Sequence, residues 1–316
     1  MTKALVTGCA GFIGSHLTQR LLRDGVTVIG IDGFIDNYDA AEKRRNLAEI
    51  GTHPGFAFHA AKLQEQRWKE WLDGVDVVYH LSALPGVRSS WGPAFSEYVS
   101  HNILATQALL EACLQLPRPP VIVASSSSSV YGTMQGKRTD EKAPLQPISP
   151  YGVTKHAMEQ ICQVYVKAFG LPVTMLRYFT VYGPRQRPDM AFHRFFTQMM
   201  NGEPVSVYGN GLQSRDFTFV SDAVEANVLA ARRAQPGDVF NIGGDREIRL
   251  IDVLAIMGQL LNTTPRITYL AGQAGDSQRT CADIGFAESR LGYRPQVSLE
   301  EGLRLQWEHM RARSKN

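Results

Sequence analysis

Between the apolar burst Ala4-Leu5-Val6 and an amphipathic stretch that begins near Ser15, the chain runs Thr7-Gly8-Cys9-Ala10-Gly11-Phe12-Ile13-Gly14. Three glycines spaced in this way between a buried strand and a helix admit few folds. Gly8 permits a tight turn, Gly11 lets the backbone come close to a bound group, and Gly14 lets the helix pack on the strand. The N-terminus of the helix then offers free N–H groups to an anion. A close-packed strand-to-helix corner without a ligand would use the same glycines. Asp32 argues for a ligand. It ends the second apolar strand, Val28-Ile29-Gly30-Ile31, where an acid accepts hydrogen bonds from the ribose of a dinucleotide and repels a 2′-phosphate. NAD is therefore expected over NADP. The turn lacks the Gly-Lys-Ser/Thr ending of a P-loop, which excludes that phosphate cradle.

Beyond the turn, β-branched runs at 4–6, 26–31, 75–80, 121–125 and 173–177 alternate with helical stretches at 15–24, 99–116 and 152–170. This alternation specifies an α/β fold, a doubly wound Rossmann parallel sheet covered on both faces. From about residue 179, Pro184, Pro188, Gly202, Pro204, Gly209 and Gly211 punctuate shorter elements. The run 239–242 reads as a strand returning to the first sheet. The expected division is an NAD-binding domain at 1–178, with a return segment at about 214–243, and a smaller, discontinuous α/β substrate-binding domain at 179–213 and 244–316.

The 316 residues carry a formal charge of only +3, with the one basic cluster at 311–315 read as a solvated tail, so nucleic acid is not implied. Cys9, Cys113, Cys162 and Cys281 lie far apart and suggest neither disulfides nor a metal site. Met1 leads almost directly into the first strand, leaving no room for a secretion signal, and no apolar run approaches the ~20 residues that cross a bilayer. A cytoplasmic protein without membrane contact is expected.

Tyr151 and Lys155 stand four residues apart at the start of a helix, on one face and within reach of one ligand. A tyrosine of pKa near 10 becomes a base at neutral pH only if its phenolate is stabilised by ~4 kcal/mol, a task for a lysine ammonium and a cationic cofactor in a partly dry pocket. The serine run 125–129 follows the strand 121–124, so it lies at the carboxyl edge of the sheet, where open α/β folds bind ligands. Ser127, or failing it Ser126, would hydrogen-bond the reacting oxygen. A Ser-rich linker is the competing reading, but linkers seldom follow an apolar strand and precede Val130-Tyr131-Gly132.

Together with Tyr79-His80-Leu81-Ser82-Ala83, Ser127-Ser128-Ser129-Val130-Tyr131-Gly132, Ser214-Arg215-Asp216-Phe217-Thr218 and Asn241-Ile242-Gly243-Gly244, these residues resemble the extended short-chain dehydrogenase/reductase family over nearly the whole chain. The resemblance is to its NAD-dependent nucleotide-sugar epimerases and dehydratases. Within that group, the stretch 178–191 and Pro85-Gly86-Val87-Arg88-Ser89 are similar to those of enzymes that epimerise UDP-glucuronate at C4.

The resemblance implies Tyr151, Lys155 and Ser127 as the catalytic set. It implies further cofactor contacts from Phe12, Ile13, Leu81, Ser82, Ala83, Asn102, Tyr178 and Val181. Arg187 with Thr180 would hold the substrate carboxylate and Arg215 the diphosphate, with Pro85, Gly86, Arg88, Ser128, Asp276 and Arg279 as further UDP-sugar contacts and no metal. A homodimer formed through the helices at 99–116 and 152–170 is implied as well. This chain has Ala61-Lys62-Leu63 where many relatives carry an acid near the adenine.

Four rival readings stand beside this one. A UDP-glucose or UDP-N-acetylglucosamine 4-epimerase would need no carboxylate clamp. A dehydratase would carry Asp-Glu at Ser128-Ser129, a decarboxylase an acid at Ser129, and a non-catalytic redox sensor would not need the Tyr-Lys-Ser set.

Overall fold

In the computed structural model, which describes residues 2–314 apart from 66, 135 and 137, the apolar runs form one seven-stranded sheet. Its strands are β1 (Lys3–Thr7), β2 (Thr27–Asp32), β3 (Phe56–Ala60), β4 (Val77–His80), β5 (Val121–Ser127), β6 (Val173–Tyr178) and β7 (Val239–Ile242). They are all parallel, in the order β7-β6-β5-β4-β1-β2-β3. β6 is buried at every position, as a strand with helices on both faces must be. The longer helices are α1 (Phe12–Arg23), α2 (Ala40–Ile50), α3 (Ala105–Leu114), α4 (Pro150–Phe169), α5 (Ala191–Met200), α6 (Val220–Arg233), α7 (Leu250–Leu260), α8 (Gly285–Leu291) and α9 (Leu299–Arg313).

Winding reverses between β1 and β4, which makes their carboxyl ends the ligand crevice of such a sheet. Thr7 and His80 are in register there. A buried tie fixes the junction: the His80 ring lies 2.9 Å from Thr7 Oγ1 and 3.0 Å from Thr106 Oγ1, and the Ser82 N–H donates to Thr7 Oγ1 at 3.1 Å. Burial pushes His80 down to about 3, so the ring is neutral and serves as a structural link.

Where one helix is expected over 99–116, the chain makes a short turn at Phe95–Tyr98 and then a π-helical segment, Val99–Leu104, before α3. Such segments recur near functional sites. Asn102 points inward from this one. Its Oδ1 accepts from the Leu84 N–H at 2.7 Å, and its Nδ2 donates to Leu84 O and Thr154 Oγ1, both at 3.0 Å. Its amide is spent on bracing the loop after β4 against α4.

Outside the main sheet, Val205–Tyr208 pairs with Ile267–Leu270, Ser214–Asp216 with Glu247–Arg249, and Val181–Tyr182 with Thr218–Phe219. The reading of a solvated C-terminal tail needs correction. Lys315 lies outside the described residues, but α9 runs to Arg313, whose guanidinium donates to Glu42 at 2.9 Å, Asn46 at 3.0 Å and Glu49 at 2.5 Å. Asn46 in turn donates to Ala10 O in the glycine turn at 3.0 Å. Arg313 is thus anchored to three acceptors on α2.

Candidate active site

The glycine turn is built as its spacing requires. Gly8 has φ +74°, and a Cβ on Gly14 would stand 2.1 Å from Gly8 O, so α1 packs on the turn only with glycine there. The helix starts at Gly11 without a side-chain cap, which leaves the N–H groups of its first turn for a ligand. Asp32 is buried beside the turn and accepts from the Ala10 N–H at 3.2 Å and the Phe34 N–H at 2.9 Å. Burial raises its pKa, against the pull of Lys43 and of those two N–H groups.

Asn37 adds a test of fit. Its Oδ1 is buried on the same wall with no hydrogen-bond partner among the described residues, which is the state expected of an atom whose donor arrives with a ligand. An adenosine diphosphate ribosyl group carries hydroxyls for Asp32 and Asn37 and phosphates for the α1 terminus. The residues present therefore fit NAD.

The cleft holds about 330 Å³ and runs from this cradle to the catalytic pair. Gly8, Gly11, Phe12, Ile13, Gly14 and Asp32 line one end, and Leu81, Ser82, Ala83, Pro85 and Gly86 the side formed after β4. Ser127, Ser128, Tyr151, Lys155, Tyr178, Thr180, Val181 and Arg187 line the other end.

Local chemistry places Tyr151. Ser149 caps α4 by accepting from the Gly152 N–H at 3.1 Å, and Pro150 opens the helix, so Tyr151 sits in its first turn. Gly152 lets that turn approach the serine segment, since a Cβ there would meet Ser129 O at 2.6 Å. Tyr151 packs edge-on against Tyr98, with ring centroids 6.2 Å apart. Burial raises the pKa of its hydroxyl, while the nearby Ser127 hydroxyl and the charge of Arg187 lower it. Lys155 donates to Ser125 O at 2.8 Å, and burial pushes it down to about 8.

Strand alternation separates the two candidate serines: Ser126 turns away to Glu159, while Ser127 lines the cleft with Tyr151, its Oγ 3.1 Å from Ser129 Oγ. The two neighbouring arginines also part. Arg185 is buried against Glu49, Ser15 and Gln19. Arg187, its side chain 16% exposed, enters the cleft and is gripped by Asp189 through Nε at 2.9 Å and Nη2 at 2.8 Å.

A second hollow, of about 370 Å³, adjoins the cleft at Gly86, Val87 and Met190. Arg88 and Asp276 line it as an ion pair at 2.6 Å, with the Arg88 guanidinium over the Tyr208 ring. Arg215, whose pKa burial lowers, donates to the carbonyls of Ser214 and Ser277 and feels the charges of Asp276 and Arg88. Two expectations are not met by the geometry. Asn102 stands behind the cleft wall, committed to Leu84 and Thr154. Arg279 is held by Glu247, at 2.7 Å from Nε and 2.6 Å from Nη2, because the adjacent edge strand presents that carboxylate to it.

Sequence reasoning missed Asn37, Tyr38 and Lys43, which line the cofactor end of the cleft. The polar run Asp36-Asn37-Tyr38-Asp39 directly after Asp32 was the available signal. Among the described residues no cluster of His, Cys, Asp or Glu is suited to a metal ion, and no helix is long and apolar enough to cross a membrane.

A dinucleotide cradle that opens onto a Tyr-Lys pair defines an enzyme which moves a proton and a hydride at one carbon of its substrate. The chain belongs to the NAD dependent epimerase/dehydratase family, whose model matches residues 4–243. It is 45% identical over 305 residues to a Bacillus subtilis protein described as the uncharacterized UDP-glucose epimerase YtcB, covering 95% of each chain. A UDP-glucuronate 4-epimerase from Thermodesulfobacterium geofontis is 34% identical over 304 residues, covering 95% of this chain and 93% of its own. The crystal structure of UDP-glucuronic acid 4-epimerase from Bacillus cereus in complex with UDP-glucuronic acid and NAD superposes with a TM-score of 0.95 at 42% identity, covering 98% of this chain and 99% of that one.

Proposed function

We propose that the protein is an NAD-dependent UDP-glucuronate 4-epimerase, interconverting UDP-glucuronate and UDP-galacturonate. The observation that carries this reading is Arg187: a guanidinium held by Asp189 in the same cleft as Tyr151, close enough for its charge to act on the tyrosine hydroxyl. A neutral hexose gives this guanidinium, already paired with Asp189, no second anion to hold. A carboxylate at C5 of the sugar, adjacent to the reacting C4, supplies one. Ser128-Ser129 offer no acid for dehydration, which disfavours that branch of the family.

NAD, held by the glycine turn, the α1 N-terminus and Asp32, would supply the hydride acceptor and donor for C4. The protein's own groups handle the proton and the sugar. Tyr151, with the Ser127 hydroxyl in the same cleft, takes the proton of the C4 hydroxyl and gives it back. Lys155 supplies the neighbouring positive charge. Arg215 and Arg88 grip the diphosphate beside the second hollow, with Asp276 next to them for a ribose hydroxyl, so the 4-keto sugar can rotate about its tether. Arg187 and Thr180 hold the carboxylate as it turns.

The same reading keeps the two-domain division at 1–178 with 214–243 and at 179–213 with 244–316. It also places a cytoplasmic homodimer on the outer faces of the helices at 99–116 and 152–170. Leu104, Val164 and Phe169 are 56%, 58% and 61% exposed there, which supports an apolar contact. The reaction is tested by incubating purified protein with UDP-glucuronate and no added cofactor. UDP-galacturonate should accumulate to an equilibrium ratio approached from either sugar, and a UDP-pentose as sole product would make the enzyme a decarboxylase instead.

Asp32→Asn should weaken NAD and narrow its advantage over NADP, since the carboxylate both accepts from the ribose and repels a 2′-phosphate. A loss of about tenfold or more in NAD affinity is expected by calorimetric titration of cofactor-stripped protein. Unchanged affinity and unchanged discrimination would assign ribose recognition to another residue.

A further inference from the structure

Behind the serine strand, on the side away from the cleft, lies a carboxylate with no place in the chemistry described so far. Glu159 and Arg177 form an ion pair with side chains 2% and 5% exposed. Glu159 Oε1 accepts from Ser126 Oγ at 2.5 Å and from Arg177 Nε at 2.9 Å, and Oε2 accepts from Arg177 Nη2 at 2.7 Å. Arg177 Nη1 donates onward to the Tyr131 hydroxyl at 2.7 Å, which donates to Asn241 Oδ1 on β7 at 2.7 Å. One carboxylate thus joins β5, α4 and β6. These elements carry Ser127, the Tyr151-Lys155 pair and the approach to Thr180 respectively.

Such a pair is a poor choice for stability alone. Two buried charges cost desolvation that an apolar pair of the same shape would avoid, so their retention points to a positional task. The spacing shows which one. Ser126 is the neighbour of Ser127, and Glu159 lies one helical turn beyond Lys155 on the same face of α4.

We propose that Glu159, paired with Arg177, is a positioning residue for proton transfer, fixing the Ser126-Ser127 strand end against α4 and keeping Lys155 a cation. This rests on the Tyr151, Lys155 and Ser127 roles given above. The groups facing Lys155 are Tyr151, Glu159 and Cys162 on α4, His80 on β4, Tyr178 on β6 with Arg177 behind Glu159, and the Ser125 carbonyl on β5. His80 is neutral, and the Cys162 thiol is raised to about 12 by burial, which leaves Glu159 as the carboxylate facing Lys155. Burial pushes Lys155 down to about 8 while Glu159 opposes it. Removing the carboxylate takes that support away and leaves the Arg177 cation without its carboxylate partner.

The test is the pH profile of kcat for the NAD-loaded enzyme with UDP-glucuronate. Glu159→Gln should move the alkaline limb down by about one pH unit. Arg177→Met, which leaves the carboxylate unopposed, should move it up, and the double variant should fall between Glu159→Gln and the parent. At the optimum, Glu159→Gln should lose roughly tenfold in kcat with KM within about twofold, because Glu159 does not touch the sugar. If Glu159→Gln fails to fold, Arg177→Met and the double variant still decide, since they must fall on opposite sides of the parent. An unmoved limb in Glu159→Gln, or two single variants shifted the same way, would overturn the assignment. The alkaline titration of Lys155 followed by NMR should show the same order without turnover. An inactive parent would therefore sink the proposed reaction and leave that titration to decide the role of Glu159.

Discussion

Replacing Tyr151 by Phe is expected to lower turnover of UDP-glucuronate by ~10²–10⁴-fold, the usual effect of a lost general base, while leaving the Kd for the nucleotide sugar nearly unchanged. The ring keeps its edge contact with Tyr98 and its place in the first turn of α4, so the cleft keeps its shape. Only the hydroxyl goes. Nothing else at this end of the cleft takes its place near neutral pH, because Lys155 already donates to Ser125 O and Ser127 is an unactivated alcohol. The rate at saturating substrate and the Kd by calorimetry separate the two effects. Parental turnover in the Phe variant would refute Tyr151 as the proton acceptor.

Arg187→Ala is expected to weaken UDP-glucuronate by about one to two powers of ten, since charge-assisted hydrogen bonds are worth ~1.5–3 kcal/mol each. It should also change the product. Oxidation at C4 of a glucuronate creates a β-keto acid, which loses carbon dioxide fastest when the bond to the carboxylate stands perpendicular to the ketone plane. An epimerase must hold the carboxylate out of that alignment while the sugar rotates, and Arg187 with Thr180 does so in this reading. Without the clamp, some intermediate should decarboxylate to a UDP-4-keto-pentose, leaving the cofactor reduced. Chromatography measures the sugars, and absorbance measures NADH.

Asp189 complicates the single variant, because its carboxylate, paired in the parent, then faces the substrate as an uncompensated anion. Arg187→Ala/Asp189→Asn removes that repulsion. If the clamp is the cause, the double variant should recover part of the affinity and still release pentose.

Much of the site was legible because it depends on strand ends. A buried parallel strand is a short β-branched run, its carboxyl end is where the run stops, and Gly8, Asp32, Leu81 and Ser127 all stand at such stops. What was not legible depends on partners far apart in the chain. Arg185 and Arg187 are chemically alike and two residues apart. Only the fold sends one to Glu49 on α2 and the other to the cleft, the former with a left-handed backbone at φ +63°. Arg279 looked like a phosphate ligand until the strand pairing at Glu247 supplied its carboxylate. Asn102 occupies the helix expected from its flanking sequence, but the π-helical segment turned it to the loop after β4, which no 3.6-residue period could show. Asn37, Tyr38 and Lys43 lie on a connection and its following helix, where no apolar period marks a ligand wall.

The central claim is that Arg187 makes this a uronate enzyme, and the ratio of kcat/KM for UDP-glucuronate to that for UDP-glucose tests it most directly. With each sugar assayed separately and the 4-epimer quantified by chromatography, the ratio should exceed about 10², because a hydroxymethyl group cannot make the charge-assisted hydrogen bonds that a carboxylate makes with Arg187. It should collapse toward unity in Arg187→Ala. A parent enzyme that epimerises UDP-glucose or UDP-N-acetylglucosamine as efficiently as UDP-glucuronate would contradict the claim.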